Sequence, residues 1–328
     1  MRRVVLIAAA TVLAVILSLV SVPAQATWPG RDGRIAFVKA NQIYTIRPDG
    51  SGLSKRTYVG KNYRPEWSPS GQRIAYVHEP AAGVREIWTM RADGSNKTRI
   101  TQGGNATAGP SWSPDGRWLA FADTNRTLVK VRTTAPFGTP EPILGCHVEN
   151  ICEDGPGPME IDRTLAWSPD GTRIVFAGAS PYSCVKALWM LKVATGELTV
   201  DRQDVGSGCS TFRSLWSDLV WGPAGQWGFG FQVQVFDGPM DSSTPVYANI
   251  DYPGFYSPII KTEYDGYAYD EDLASVHGDK SPAPSPSGRF MAFVNDTSGI
   301  AKIYIAKADG SSRRQLTYGY QPDWQRLS

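Results

Sequence analysis

Three histidines, four cysteines and one stretch crowded with tyrosines and carboxylates are the side chains of this 328-residue chain most suited to chemistry. His78, His147 and His277 are the weak catalytic candidates, because an unperturbed imidazole changes charge near neutral pH and can serve as acid, base or ligand. No H-E-x-x-H and no G-x-S-x-G occurs, so neither a zinc helix nor a nucleophile elbow is written locally. Tyr252, Tyr256, Tyr264, Tyr267 and Tyr269 interleave with Asp265, Asp270 and Asp272. Tyrosine offers stiff contact area with a polar tip, and carboxylates meet cations, sugar hydroxyls or hard metal ions. These residues form the binding candidate. The competing reading has the tyrosines covering outer strands while the acids are solvated. Asp270-Glu271-Asp272 lacks the D-x-D-x-D-G spacing of a calcium loop, so neither metal nor cofactor is expected.

The elements that must position these residues are repeats. A motif close to P-x-W-S-P-x-G recurs at Pro65–Gly71, Pro110–Gly116, Leu165–Gly171, Leu219–Gly225 and Pro282–Gly288, each time followed by an apolar strand. Proline presets φ and glycine admits positive φ, so Pro69-Ser70-Gly71 reads as a tight turn between two strands. A third strand, Glu86–Arg91, ends in Ala92-Asp93-Gly94-Ser95, and Asp-Gly between alternating strands marks a hairpin. The pattern returns at Ile43–Gly50, Leu188–Gly196 and Ile303–Gly310, so six units can be traced. Short strands at a period of roughly 40 to 60 residues indicate a propeller or array.

The first and last units are incomplete in complementary ways. The repeats begin at Asp32–Phe37, a second strand, and finish at Gln321–Leu327, a first strand with its tryptophan at Trp324. Pairing them would complete one blade from both ends of the chain and remove the sheet edges. The expected fold is therefore all-β, a six-bladed β-propeller of four-stranded antiparallel blades closed by the C-terminal strand.

The W-S-P-D-G turn, the following I-A-F strand and the I-Y-x-x-x-x-D-G hairpin resemble those of TolB-like six-bladed β-propellers. The resemblance covers about Asp32 to Leu327; Pro284 stands where the sixth unit would carry tryptophan, and Gly222 where the fifth would carry serine. It implies a fold and a habit of binding partners at the cell envelope or outside it, not one activity.

Met1-Arg2-Arg3, the apolar run Val4 to Val22 and Ala24-Gln25-Ala26 have the three parts of a secretory leader, with cleavage expected after Ala26. Uncleaved, the run is long enough to span a bilayer. The expected domains are a leader at 1–26 and a propeller at 27–328. Cleavage takes Arg2 and Arg3 from the 33 basic residues and nothing from the 31 acidic ones, leaving the signs equal. A balanced chain shows no overall basic footprint, so nucleic acid is not an expected partner. In an exported chain, Cys146, Cys152, Cys184 and Cys209 suggest two disulfides. Cys146 with Cys152 and Cys184 with Cys209 is the favoured pairing, with the other two open.

Strand order sorts the connections onto two faces. The first-to-second and third-to-fourth turns are short and repetitive, whereas the opposite face carries connections of varied length after Leu144, after Val200 and across Asp237 to Ser281. Long loops on rigid scaffolds concentrate binding residues. The cysteines, histidines and tyrosine-rich stretch all map to this long-loop face. The expected protein is a secreted or periplasmic monomer, without a membrane span after cleavage, that binds a protein, peptide or glycan there. The alternative is a small-molecule lyase, hydrolase or isomerase with its site at the channel mouth.

Overall fold

The computed structural model describes residues 30–104, 106, 108–125, 127–144, 160–179, 186–203, 212–221, 229–237, 245–251, 279–296, 298–307 and 310–328. Among them every regular element is a strand, and none is a helix long and apolar enough to cross a membrane. The strands form six antiparallel sheets, five of four strands and one of three.

The first sheet joins the two ends of the repeat array. Its order is Tyr320–Leu327, Arg31–Lys39, Gln42–Ile46, Ser54–Lys55, with Ile35 opposite Trp324 and Arg31 opposite Leu327. The pairing expected from Trp324 is therefore present. The second sheet runs Lys61–Trp67, Arg73–Ala81, Val84–Arg91, Thr98–Arg99, and the third Ala108–Trp112, Trp118–Ala122, Leu128–Arg132, Glu141–Leu144. The fourth runs Glu160–Trp167, Arg173–Ala179, Lys186–Lys192, Leu198–Gln203. The fifth contains Phe212–Trp221, Phe229–Asp237 and Pro245–Asp251, and the sixth Asp279–Pro284, Phe290–Asn295, Lys302–Lys307 and Arg314–Tyr318. Pro245–Asp251 lies inside the span that the sequence assigns to a long connection. It is a strand paired along its length with Phe229–Asp237.

The recurring motif has a local physical cause. In the second sheet the Gly71 N–H donates to the Ser68 carbonyl at 2.7 Å, and the Ser68 hydroxyl accepts from the Arg73 N–H at 3.1 Å. The same two bonds recur through Ser113, Ser168 and Ser285. The serine thus satisfies a backbone donor that the turn would otherwise leave unpaired. The glycine supplies φ of +67° to +75° at Gly71, Gly116, Gly171 and Gly288. One residue before the motif proline, the first strand takes a positive φ at Arg64, Gly109, Ser281 and Gln321. The register shifts at the same place, a bulge that turns the next side chains toward the neighbouring sheet.

The motif tryptophans are the inter-sheet packing. Trp67, Trp112, Trp167 and Trp324 are all buried. Trp67 lies in a cluster with Ala36 and Ile43 of the first sheet and Ile74, Tyr76 and Met90 of its own. Trp112 packs with Val77 and Ile87 of the second sheet, and its indole N–H reaches the Glu66 carbonyl at 3.1 Å. Burying rings of this size is the main apolar gain that joins sheet to sheet.

Candidate functional site

A groove of about 840 Å³ opens on the short-turn face. The first sheet contributes Arg31 and Gln325, the second Gln72, Arg73 and Arg91, and the third a wall that includes Thr134 and Phe137. Phe137 stands there because the third-to-fourth connection of the third sheet, between Arg132 and Glu141, is longer than its counterparts. Arg73 is held in place from three directions. It donates to the Thr133 carbonyl at 3.0 Å and to the Thr89 hydroxyl, and its guanidinium lies over the Trp112 ring. Burial lowers its pKa, though a guanidinium remains charged at any ordinary pH. Arg31 donates to the Ser328 carbonyl at 2.9 Å, so its fork already accommodates an oxygen acceptor.

Asp93, the acid of this groove, is bound within its own turn. Its carboxylate accepts from the Ser95 N–H at 2.8 Å and the Ser95 hydroxyl at 2.6 Å, and these bonds hold its pKa low. The groove therefore presents arginines, neutral hydrogen-bonding groups and one aromatic wall. That set can grip an extended, oxygen-rich chain at several points.

Deeper, the second position of three of the motifs links one sheet to the next. The Trp67 N–H donates to Asp323 at 2.6 Å, the Trp112 N–H to Glu66 at 3.0 Å, and the Trp167 N–H to the Ser111 hydroxyl at 3.1 Å. Ser111 in turn donates to Glu66 at 3.3 Å. Glu66 and Asp323 keep some surface but are walled in by the first strands of adjacent sheets. Burial, followed by repulsion from Asp323, pushes the Glu66 carboxyl up to about 8. Burial raises Asp323 to about 7, opposed by the N–H groups of Trp67 and Trp324 that it accepts. The motif's second residue is Ala166 and Ala283 in the fourth and sixth units, which cannot repeat this bond.

No family model matches the chain. An uncharacterised protein of Agrobacterium fabrum is 29% identical over 147 residues, 44% of each chain. The Tol-Pal system protein TolB of Geobacter sulfurreducens is 35% identical over 77 residues, which make up 24% of this chain and 17% of that one. Each match thus spans less than half of the curated relative. The solved structure of TolB from Acinetobacter baumannii superposes with a TM-score of 0.57 at 18% identity, covering 89% of this chain and 66% of that one. The chain is TolB-like. At that identity the superposition establishes the β-propeller fold alone.

The TolB-like chain places the sequence-derived candidates unevenly. His78 is in the second strand of the second sheet. Its Nδ1 lies 2.9 Å from Asn62 Oδ1, its ring meets Trp88 edge-on, and burial lowers its pKa. It is packed within a strand pair, which favours the neutral imidazole. His147 and His277 lie outside the described residues, as do Cys146, Cys152, Cys184 and Cys209. Tyr252, Tyr256, Tyr264, Asp265, Tyr267, Tyr269, Asp270 and Asp272 lie outside them too. Among the described residues no cluster of histidine, cysteine and acid is arranged to hold a metal ion. Sequence reasoning passed over Arg31, Arg73, Arg91, Glu66 and Asp323. The carboxylates had a signal, being the acidic members of a motif position that elsewhere is small or apolar.

Proposed function

We propose that the protein is an extracytoplasmic binding module, a closed six-bladed propeller that holds a protein partner in the groove of its short-turn face. The observation that carries this reading is the groove itself, with Arg31, Arg73 and Arg91 gathered from separate segments beside Phe137. Closure of the ring is supported by the order of contacts. The first strand of each sheet touches that of the next through all six, and Tyr320–Leu327 touches both Asp279–Pro284 and Lys61–Trp67.

Export through the leader at 1–26 and a partner at the cell envelope complete the proposal, in line with relatives named Tol-Pal system proteins. The tyrosines and acids of 252–272 are a second proposed contact on the opposite face. Photo-crosslinking tests the groove directly. A photoreactive benzoyl-phenylalanine at Gln72 or Thr134, both exposed, should yield one discrete partner adduct that Phe137→Ala diminishes. Adducts formed only from positions on the opposite face would overturn the assignment.

A further inference from the structure

We infer that the short-turn face is a cationic docking surface, and that the protein partner offers it an acidic segment. The inference rests on the protein-binding reading above and specifies the partner's chemistry. Its basis is a coincidence that the repeat enforces. The residue ending the third strand is Arg91, Arg132, Lys192 and Lys307 in the second, third, fourth and sixth sheets, Arg47 directly follows that strand in the first, and all five are exposed. The first cation after the motif glycine is Arg73, Arg117, Arg173 and Arg289 in the second, third, fourth and sixth, and Arg34 stands at the matching place in the first. Both positions abut short turns, the second set standing one or two residues after the glycine, so the two sets of cations gather at the same end of the sheets.

Among the described residues the acids on this side are fewer and are already engaged, Asp32 by the Ser287 N–H and hydroxyl of the sixth sheet and the others inside their own turns. Asp49 accepts from the Ser51 N–H, Asp115 from the Ser113 hydroxyl and the Arg117 N–H, and Asp170 from the Ser168 hydroxyl and the Thr172 N–H. The fourth sheet is nearly balanced, because Glu197 lies 2.8 Å from Lys192. The excess falls on the sector from the sixth sheet through the first and second to the third, which contains the groove. There the cations crowd one another. Arg34 is depressed by burial and then by Arg56 and Arg47, and Lys97 is depressed by burial while Arg56 pushes the same way. An equal number of acids and bases in the exported chain thus conceals a strongly polar distribution.

An acidic polypeptide fits this surface better than a bilayer or a nucleic acid. Exposed Tyr58, Val59, Val84, Ile300 and Tyr318 lie in or beside connections of the other face, leaving Leu53 and Leu327, among the described residues, as the large apolar side chains exposed here. Membrane-surface binding requires buried apolar anchors as well as charge. Sequence-tolerant binding of single strands uses several stacking rings, and the groove offers Phe137.

The test is fluorescence anisotropy with a labelled decapeptide of alternating Glu and Asp. The protein should bind it, and the paired change Arg91→Glu with Arg132→Glu should weaken binding by roughly tenfold or more, as reversing close charge pairs does. Adding salt to about 0.3 M should weaken it as well. Lys39→Glu, at the far end of its strand, should leave it unchanged. Single Arg91→Gln and Arg132→Gln variants serve if the paired variant does not fold. Equal binding by wild type and variants would overturn the inference, as would equal affinity for a Lys decapeptide. Displacement of the peptide by oligothymidine or by phosphatidylglycerol vesicles at lower concentration would overturn the choice of partner. If the peptide fails while groove crosslinks to a partner persist, only this inference falls. If both fail, the protein-binding reading falls with it.

Discussion

Raising the pH should loosen the junctions that join the second sheet to the first and to the third, and replacing Glu66 by glutamine should remove part of that sensitivity. Glu66 is raised from 4.5 to about 8 and Asp323 from 3.8 to about 7. Both are acids whose folded pKa lies above the unfolded one, so the folded protein binds more protons than the unfolded chain between those values. The contribution to stability is complete below about pH 4 and is lost as pH rises through 7 and 8. At about 1.4 kcal/mol per pKa unit, ionising either group in place costs on the order of 4 kcal/mol. Mutual repulsion is part of the Glu66 shift, so the two costs overlap and do not simply add.

A loss of that size in a chain this long lowers Tm by about 6 °C. Thermal unfolding followed by circular dichroism should therefore show a fall of that order between pH 5 and pH 9. Glu66→Gln keeps an oxygen for the Trp112 N–H and the Ser111 hydroxyl, cannot ionise, and relieves Asp323 of its neighbour. Its curve should be flatter and should lie above wild type at pH 9. A wild-type Tm independent of pH over this range, or a Glu66→Gln curve as steep as wild type, would refute the reasoning.

Two further perturbations test the scaffold. Trp112→Ala removes a buried ring and its bond to the Glu66 carbonyl, and should cost on the order of 3 to 5 kcal/mol in urea unfolding; a midpoint near wild type would mean that the ring does not join the sheets. Gly71 and Gly116 share nearly the same φ, yet a Cβ on Gly71 would come within 1.8 Å of the Arg326 carbonyl oxygen, whereas one on Gly116 meets nothing within 4 Å. Gly116→Ala should thus cost about 1 kcal/mol for its backbone conformation alone, and Gly71→Ala clearly more because the Tyr320–Leu327 strand must shift. Equal losses would show that Tyr320–Leu327 is not seated as described.

The sheets were legible because one piece of local chemistry repeats. Ser-Pro-x-Gly makes the same turn wherever it occurs, and a tryptophan just before it marks an innermost strand, so even Trp324 could be placed. Pro245–Asp251 was not legible as a strand, since no Asp-Gly hairpin follows it and its tyrosine and aspartate belong to a run that reads as loop. The groove was harder still, because Arg31, Arg73, Arg91 and Phe137 come from segments that only the fold brings together. The cationic face was hidden for another reason. Each arginine was visible, but charge summed along a chain carries no information about sides, which only strand direction supplies.

Pairing Ile35 with Trp324 makes the first sheet the most non-local element of the molecule. A chain emerging from its amino end can form the second and third sheets early, but must hold Arg31–Lys39 open until nearly every residue has been made. Contacts so distant in sequence form slowly. In that interval the strand is an unprotected edge, open to the Tyr320–Leu327 segment of another copy. Assembly errors of this protein should therefore take the form of strand-exchanged oligomers, and should grow with concentration during synthesis while leaving the finished molecule unaffected.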